Sequence, residues 1–395
     1  STQAKTLFPY TTLFRSARMM TKNPLTVCTV LGTRPEIIKL APLIPLLDEQ
    51  PGMRQILLHT GQHYSFEMDA LFFAELGLRP VDVQLAVGSQ THAAQTAAIL
   101  VGMEQAIQRE RIGLVLVLGD TNSTLGAALS AAKLAVPVVH IEAGCRSFVR
   151  TMPEEINRVL VDHCAAQLLA PNEASKTQLL SEGISAADIT VVGSTAIDAA
   201  RAFANKAQHR TVVIDALLSL GLSPQTPFLA CTVHRAENTT PDVLPGVLRG
   251  LGRLAERYPI LWPVHPRTQR IIDERKLVVP PRIRLLPPVG YLDMLALLQQ
   301  ARALCTDSGG LQEEAYALGT PVLILRNETE WTYLLDGGCA VLLGNREEDI
   351  GSRGQQNLVD SEQQKMRQAA RVLSAQLEDG GAAERILAAI KARWL

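Results

Sequence analysis

Aromatic residues make up only 4% of this 395-residue chain, so stacked rings are not what organises its interior. Neither sign of charge is in excess: 38 Lys and Arg face 39 Asp and Glu, for a net charge of −1. Bulk electrostatics therefore point neither to nucleic acid nor to an anionic membrane as partner, and any anion must be held by local arrangements. No apolar run reaches the roughly 20 residues needed to cross a bilayer. Six cysteines are scattered with no CxxC pair and no close Cys/His spacing, which excludes a disulfide framework and a structural zinc site. Buried free thiols in a reducing compartment are the expectation, and with them a cytoplasmic location. A usable dinucleotide fingerprint is also missing. The stretch Gly250 to Ala255 matches G-x-G-x-x-A, but inside a helical pattern rather than after a strand. No nicotinamide cofactor, and no metal, is expected.

What is present is 47% hydrophobic and rich in Ala, Leu and Val, enough to bury two cores and suited to parallel sheets covered by helices. Residues 1–18 (STQAKTLFPYTTLFRSAR) share none of the later periodicity and lack a signal-peptide pattern. Residues 1–20 are read as a non-native or disordered extension, with the native start at Met19 or Met20. From Leu25 onward, short apolar runs alternate with helical stretches: strands at 26–32, 55–61, 113–120 and 136–144, and helices over 35–50, 65–77, 91–110, 122–135 and 153–165. Around 191–209 the alternation pauses, as at an interdomain connection. It resumes with strands at 228–234, 259–266, 282–288, 301–310, 320–325 and 339–344. The expected division is 21–195 for a first domain carrying acids, 196–375 for a second binding a nucleotide, and 376–395 for a terminal helix. That helix should use Ile386, Ile390 and Leu395 as its apolar face and pack back on the first domain. Alternating strands and helices mean βαβ units, parallel sheets and right-handed crossovers.

The polar residues of interest cluster where strands end, the edge at which open α/β sheets bind ligands. In GTRPE, Gly32 permits a tight turn, Pro35 suits a first helical turn, and the helix N-terminus with Arg34 is an anion site; Lys39 lies further along. In DSGGLQEEA, Ser308, Gly309 and Gly310 would offer backbone N–H groups to a diphosphate, and Glu314 a carboxylate to ribose hydroxyls. His234 and Arg235 in TVHRAEN could touch diphosphate or protonate a leaving oxygen, though a lone His is as often structural. His265, and Gln62 with His63, are weaker candidates. Asp120, Glu142, Glu154 and Glu155 supply acids from the first half, with Arg146 and Arg158 available as ion-pair partners. Several carboxylates in one cleft push their pKa values apart and so provide an acid and a base. Helix capping is the competing reading of Asp120, Glu154 and Glu155.

GTRPEIIKLAP, TGQH, GDTNST, HIEAGCRS, MPEEINR, HRAEN and DSGGLQEEA, in this order, resemble the non-hydrolysing UDP-N-acetylglucosamine 2-epimerases from about Leu25 to the C-terminus. The resemblance implies a GT-B-like fold of two Rossmann-type parallel-sheet domains facing a central cleft, a UDP-sugar substrate and a homodimer. By position, Asp120, Glu142 and Glu154 match the family's catalytic acids. Arg34, Lys39, His234, Ser308, Gly309, Gly310 and Glu314 match its nucleotide and phosphate contacts, and Arg158 its Asn-Arg position. Gln62, His63, Arg146 and Tyr291 are candidate further contacts. The chain departs where the family's TERPE stretch reads Thr329-Glu330-Trp331-Thr332-Tyr333, and in a short loop over 147–152.

The implied chemistry is anti elimination of UDP to a 2-acetamidoglycal, then re-addition. Asp120 and Glu154 would handle the C2 proton on opposite faces, Glu142 would support the transition state, and His234 with Arg34 would stabilise the departing diphosphate. An epimerase of a related UDP-N-acetyl sugar, a hydrolysing epimerase, a glycosyltransferase and a non-catalytic UDP-sugar sensor are the alternatives.

Overall fold

A computed structural model describes residues 24–62, 72–377 and 380–395. The extension over 1–20 and His63 lie outside the described residues, as does the start of the helix expected over 65–77. Two sheets organise the chain. The first contains β1 (Leu25–Leu31), β2 (Met53–His59), β3 (Val83–Gln84), β4 (Leu114–Leu118), β5 (Val138–Ile141), β6 (Gln167–Ala170) and β7 (Ile189–Val191), in the order β3-β2-β1-β4-β5-β6-β7. The second contains β8 (Leu229–Thr232), β9 (Ile260–Pro263), β10 (Ile283–Leu286), β11 (Ala303–Thr306), β12 (Val322–Ile324) and β13 (Ala340–Leu342), in the order β10-β9-β8-β11-β12-β13. Every pairing is parallel. That is why the strands read as continuous apolar runs: β4 is buried at every position, because helices cover both faces.

In each sheet the chain winds outward one way and then reverses. The reversal falls between β1 and β4, and again between β8 and β11. A crevice opens at the carboxyl ends of such a strand pair, because the two following loops turn to opposite faces. Residues 32–36 and 119–124 lie at the first of these points, and residues 233–238 and 307–310 at the second.

The helices are α1 (Arg34–Leu40), α2 (Leu43–Asp48), α3 (His92–Glu110), α4 (Asn122–Lys133), α5 (Pro153–Cys164) and α6 (Glu173–Ser181), then α7 (Thr195–Ala207) and α8 (Val212–Ser219). The second half adds α9 (Leu244–Ala255), α10 (Pro266–Glu274), α11 (Tyr291–Gln300), α12 (Gly309–Ala317), α13 (Thr332–Asp336), α14 (Glu347–Asn357), α15 (Asp360–Leu377) and α16 (Ala382–Trp394). Gly250 and Gly252 lie inside α9, the helical context that disqualifies their fingerprint.

Three expectations need correction. The single helix over 35–50 is two, because Pro42 has no N–H to give Ile38 and its ring crowds that turn. The Ala41 N–H closes α1 on the Ile38 carbonyl instead, at 3.2 Å. The alternation does not pause over 191–209, which holds the end of strand β7 and helix α7. Ala196, Ile197, Ala199, Ala200, Phe203 and Ala207 of α7 are buried, and it packs against α1, α11 and α12, joining the halves through an apolar core. Finally, Leu395 is 48% exposed and lies past the end of α16, whose inner face is Ile386 and Ile390. Trp394 anchors the helix end, its indole N–H donating to Gln167 Oε1 at 2.8 Å. Gln167 Nε2 returns a bond to the Ala389 carbonyl at 3.1 Å, so α16 is stitched to β6.

Candidate functional site

At the first switch point Gly32 is required for a close approach rather than for a turn. A Cβ there would stand 2.0 Å from Ser123 Oγ and 2.8 Å from Thr60 Oγ1. The helix start that follows is not open to an anion, contrary to the sequence reading. Glu36 folds back and accepts the N–H groups of Gly32 (2.8 Å) and Thr33 (2.7 Å) and the hydroxyls of Thr33 and Thr121. Burial pushes its carboxyl up against those hydrogen bonds. The start of α4 is likewise closed: Thr121, not Asp120, caps it through Thr124 N, and Gln62 Oε1 accepts Ser123 N and Oγ at 3.0 and 2.6 Å. Capping is thus excluded for Asp120. Gln62 is buried behind this edge, fixing a helix start rather than facing a ligand.

Asp120 faces Arg158 at 2.5 Å, and Asn157 Nδ2 holds the Asp120 carbonyl at 2.8 Å. Arg158 also pairs with Glu155 at 2.8 Å. Glu155 is buried, accepting N–H groups from Ser147 and Phe148, and so fixes the short loop. Glu154 is exposed in the first turn of α5 and has no hydrogen bond or ion pair among the described residues. Glu142 follows β5 with φ +65°, a left-handed conformation uncommon outside glycine and costly enough to mark a constrained position. Lys39 Nζ lies 2.8 Å from both its carboxylate oxygens, and Thr195 Oγ1 donates to it at 3.1 Å. Burial opposes the Lys39 charge, but Glu142, Glu313 and Asp120 outweigh it and raise its pKa. Arg34 spreads its guanidinium over the Phe72 ring, 5.7 Å from the centroid.

Arg146, expected beside these acids, is elsewhere. Its side chain is 3% exposed and pairs with Asp162 and Glu182, each at 2.7 Å. Asp162 also holds His140, whose Nε2 lies 2.8 Å from the Gly119 carbonyl. The guanidinium therefore serves the scaffold beneath the acids and is unavailable to a ligand.

At the second switch point Asp307, fully buried, accepts the N–H groups of His234 and Arg235 and the amide of Asn238 (3.1 Å). His234 Nδ1 lies 3.0 Å from its Oδ1. Despite burial, these donors hold the Asp307 carboxyl below its ordinary range. Nδ1 is thereby the donor, and Nε2, without a partner among the described residues, is free to exchange a proton. The His265 ring lies tilted against that of His234, centroids 6.2 Å apart, its pKa lowered by burial and by His234. Asp307 was missed in the motif that begins with it. The rule applied to Asp120 and Glu142, an acid closing a buried strand, would have found it.

Helix α12 starts beside this dyad, and unlike α1 and α4 it has no side-chain cap. Gly310 is exposed, with nothing within 4 Å of where a Cβ would be. Trp331 occupies the flank, its indole N–H donating to the Gly309 carbonyl at 2.9 Å. Arg235 and Arg326 converge on Glu330, Arg235 at 2.9 Å. One turn in, burial pushes Glu314 up to about 8, with Lys39 opposing and Glu313 adding to the rise; its Oε2 has no partner among the described residues. The buried Tyr291 hydroxyl is equally without one. Among the described residues no group of His, Cys, Asp and Glu could hold a metal ion, and no helix is long and apolar enough to cross a membrane.

Residues 46–391 match the family described as UDP-N-acetylglucosamine 2-epimerase. The UDP-N-acetylglucosamine 2-epimerase of Methanocaldococcus jannaschii is 41% identical over 341 residues, 81% of this chain and 89% of that protein. The UDP-2,3-diacetamido-2,3-dideoxy-D-glucuronate 2-epimerase of Pseudomonas aeruginosa is 40% identical over 322 residues, 80% of this chain and 88% of that one. A crystal structure of the M. jannaschii enzyme in complex with UDP-GlcNAc and UDP superimposes with a TM-score of 0.76 at 37% identity, covering 89% of this chain and all of that one. With a switch-point edge in each of two parallel sheets, this chain belongs to the UDP-N-acetylglucosamine 2-epimerase family and is an isomerase of GT-B-like fold.

Proposed function

We propose that the chain interconverts UDP-N-acetylglucosamine and UDP-N-acetylmannosamine without hydrolysis, by elimination and re-addition of UDP. The observation that carries this reading is the contrast among helix starts. Those of α1 and α4 are closed by Glu36, Thr121 and Gln62, whereas α12 presents unsatisfied N–H groups next to a carboxylate-oriented histidine. A diphosphate seated at α12 meets the positive end of the helix dipole. The partnerless Glu314 carboxylate, one turn along, then suits the ribose hydroxyls, since a buried acceptor of this kind gains most from a new donor.

In the forward reaction a carboxylate removes the C2 proton, the C1–O bond breaks, and its electron pair leaves with UDP while a C1–C2 double bond forms. His234 and the α12 N–H groups balance the charge that develops on the diphosphate. Re-addition delivers a proton to the opposite face of C2 and returns UDP to C1. Asp120 and Glu154 take the two faces. Asp120 is aimed by its ion pair with Arg158, and Glu154 has its carboxylate free. Glu142, fixed by Lys39, supports the positive charge at C1. The chain acts in the cytoplasm as a homodimer, which light scattering of the purified protein tests.

Incubation with UDP-N-acetylglucosamine in deuterated water should place deuterium at C2 of a product that is still a UDP-sugar. Retained protium sinks the elimination, and free N-acetylmannosamine would make the enzyme hydrolysing. A second reading, epimerisation of a diacetamido uronate, is favoured by Trp331 beside the α12 start and by the equal similarity to the P. aeruginosa enzyme. A panel containing both sugars separates the two by kcat/KM.

A further inference from the structure

Glu313 has no part in the scheme above. Its neighbour Glu314 is the residue set toward ribose, yet Glu313 is the more buried of the two, 2% exposed on the inner face of α12. Tyr333 donates its hydroxyl to Glu313 Oε1 at 3.0 Å, and the Ser194 hydroxyl also bonds to the carboxylate. Tyr333 belongs to α13 of the second half. Ser194 is the N-cap of α7, the helix that joins the two halves. Across that join stands Lys39 of α1, whose ammonium touches Glu142 and feels Glu313 next. Thr195, one residue after Ser194, donates to Glu142. Glu142 and Glu313 thus share the field of one lysine, which touches Glu142, and bond to two successive hydroxyls at the start of α7.

We propose that Glu313 is a positioning residue for the epimerisation, holding Lys39 and through it Glu142 in register with the helix whose N-terminus receives the diphosphate. The inference rests on the epimerase reading and extends it to a residue that touches no substrate. The groups facing Glu313 are Lys39 and Glu142 from the first half, Ser194 at the join, and Tyr333 and Glu314 from the second. Lys39 is the cation among them, so it balances three carboxylates. Removing the Glu313 charge weakens the pull on Lys39 from the second half, leaving Glu142 as its ion-pair partner, and Lys39 and Glu142 settle toward the first sheet. Burial pushes the Glu313 carboxyl up to about 7, with Lys39 opposing and Glu142 adding to the rise, so its charge changes near neutrality.

The test uses the full chain with Glu313→Gln, Glu313→Asp and Tyr333→Phe. Glu313→Gln should leave UDP affinity within about threefold, because the N–H groups of α12 are untouched. It should lower kcat by about 10²-fold, the scale of a displaced catalytic group. The limb of the kcat–pH profile near pH 7 should disappear, and Glu313→Asp should recover part of both. Unchanged kcat with an unchanged profile overturns the proposal, as does a parallel loss of UDP affinity and activity. A second measurement does not need turnover. In urea unfolding, Lys39→Met and Glu313→Gln should be non-additive in a double-mutant cycle, and additivity overturns the coupling. A wild type with no C2 exchange would instead overturn the epimerase reading, and the unfolding cycle would still judge the coupling.

Discussion

Asp307 receives backbone N–H groups from His234 and Arg235, an amide from Asn238, and the imidazole of His234. Asp307→Asn replaces an acceptor by a partial donor among groups that all donate. Losing a buried charged acceptor costs about 3 kcal/mol. With His234 misdirected, kcat should fall about 10²-fold or more. Urea denaturation and steady-state kinetics check the two separately. The folded-state pKa of Asp307 is lowered, so its stabilisation is present above its ordinary value near 3.8 and is lost as pH falls through the lowered one. Glu313 and Glu314 act oppositely. Their folded values are raised to about 7 and about 8, so the folded state binds more protons than the unfolded state above about pH 4.5. Stability from these two should be greatest at or below pH 4.5 and decline as pH rises toward 8. Thermal melts of wild type and Glu314→Gln between pH 5 and 8 should show a shallower slope in the variant.

Among the elements, α12 gives the sharpest test. Gly310 is exposed, its Cβ direction is empty, and it lies in the first turn of a helix. Gly310→Asp should therefore fold with Tm unchanged or slightly raised, since an acid there gains about 0.3–1 kcal/mol from the helix dipole. The same carboxylate would occupy the place proposed for the diphosphate, so calorimetry should find UDP affinity reduced at least about 10²-fold. Gly32→Ala is the converse, a substitution that fails for want of space. A methyl 2.0 Å from Ser123 Oγ must move α4 or β1, with a cost of about 1–3 kcal/mol and a lower urea midpoint.

The elements also show what the sequence could and could not reveal. Strands such as β4 and β11 were legible because burial on both faces leaves an uninterrupted apolar run. Asp120, Glu142 and Ser308 were legible because polar residues interrupt those runs at one end. The two-residue β3 offers too short a pattern to read. Helix α7 was hidden because its first six residues are all buried and half of them are Ala, so its exposed polar residues, Asn205 and Lys206, come only near the end. The closed start of α1 could not be foreseen either. GTRPE reads as an anion site until Glu36 is seen turning back onto Gly32 and Thr33. Arg146 and Arg158 look alike in sequence, and only the fold sends one to Asp162 and the other to Asp120.

At the scale of the molecule, the chain passes between its two halves through α7 and again between α15 and α16. The return is fixed by Asp198, which accepts the Ala383 N–H at 2.8 Å, by Arg385 on the Val192 carbonyl, and by Trp394 on Gln167. Gly193 keeps this seat open, since a Cβ there would meet the Arg385 guanidinium at 2.5 Å. Truncation after residue 380 uncovers the surface on which Ile386 and Ile390 lie. Each such residue contributes about 1.5–3 kcal/mol when fully buried. The truncated chain should melt well below the full one, and calorimetry should show the loss in the transition of the first half.

The indole of Trp331 has a use apart from catalysis. Of the three tryptophans, Trp262 is sealed in the core of the second half and Trp394 is pinned to Gln167 on the first. Trp331 alone leans on the Gly309 carbonyl, at the threshold of the proposed anion site. Light emitted by the protein on ultraviolet excitation should therefore change as UDP arrives there. The native chain carries its own optical gauge of nucleotide occupancy, needing no label.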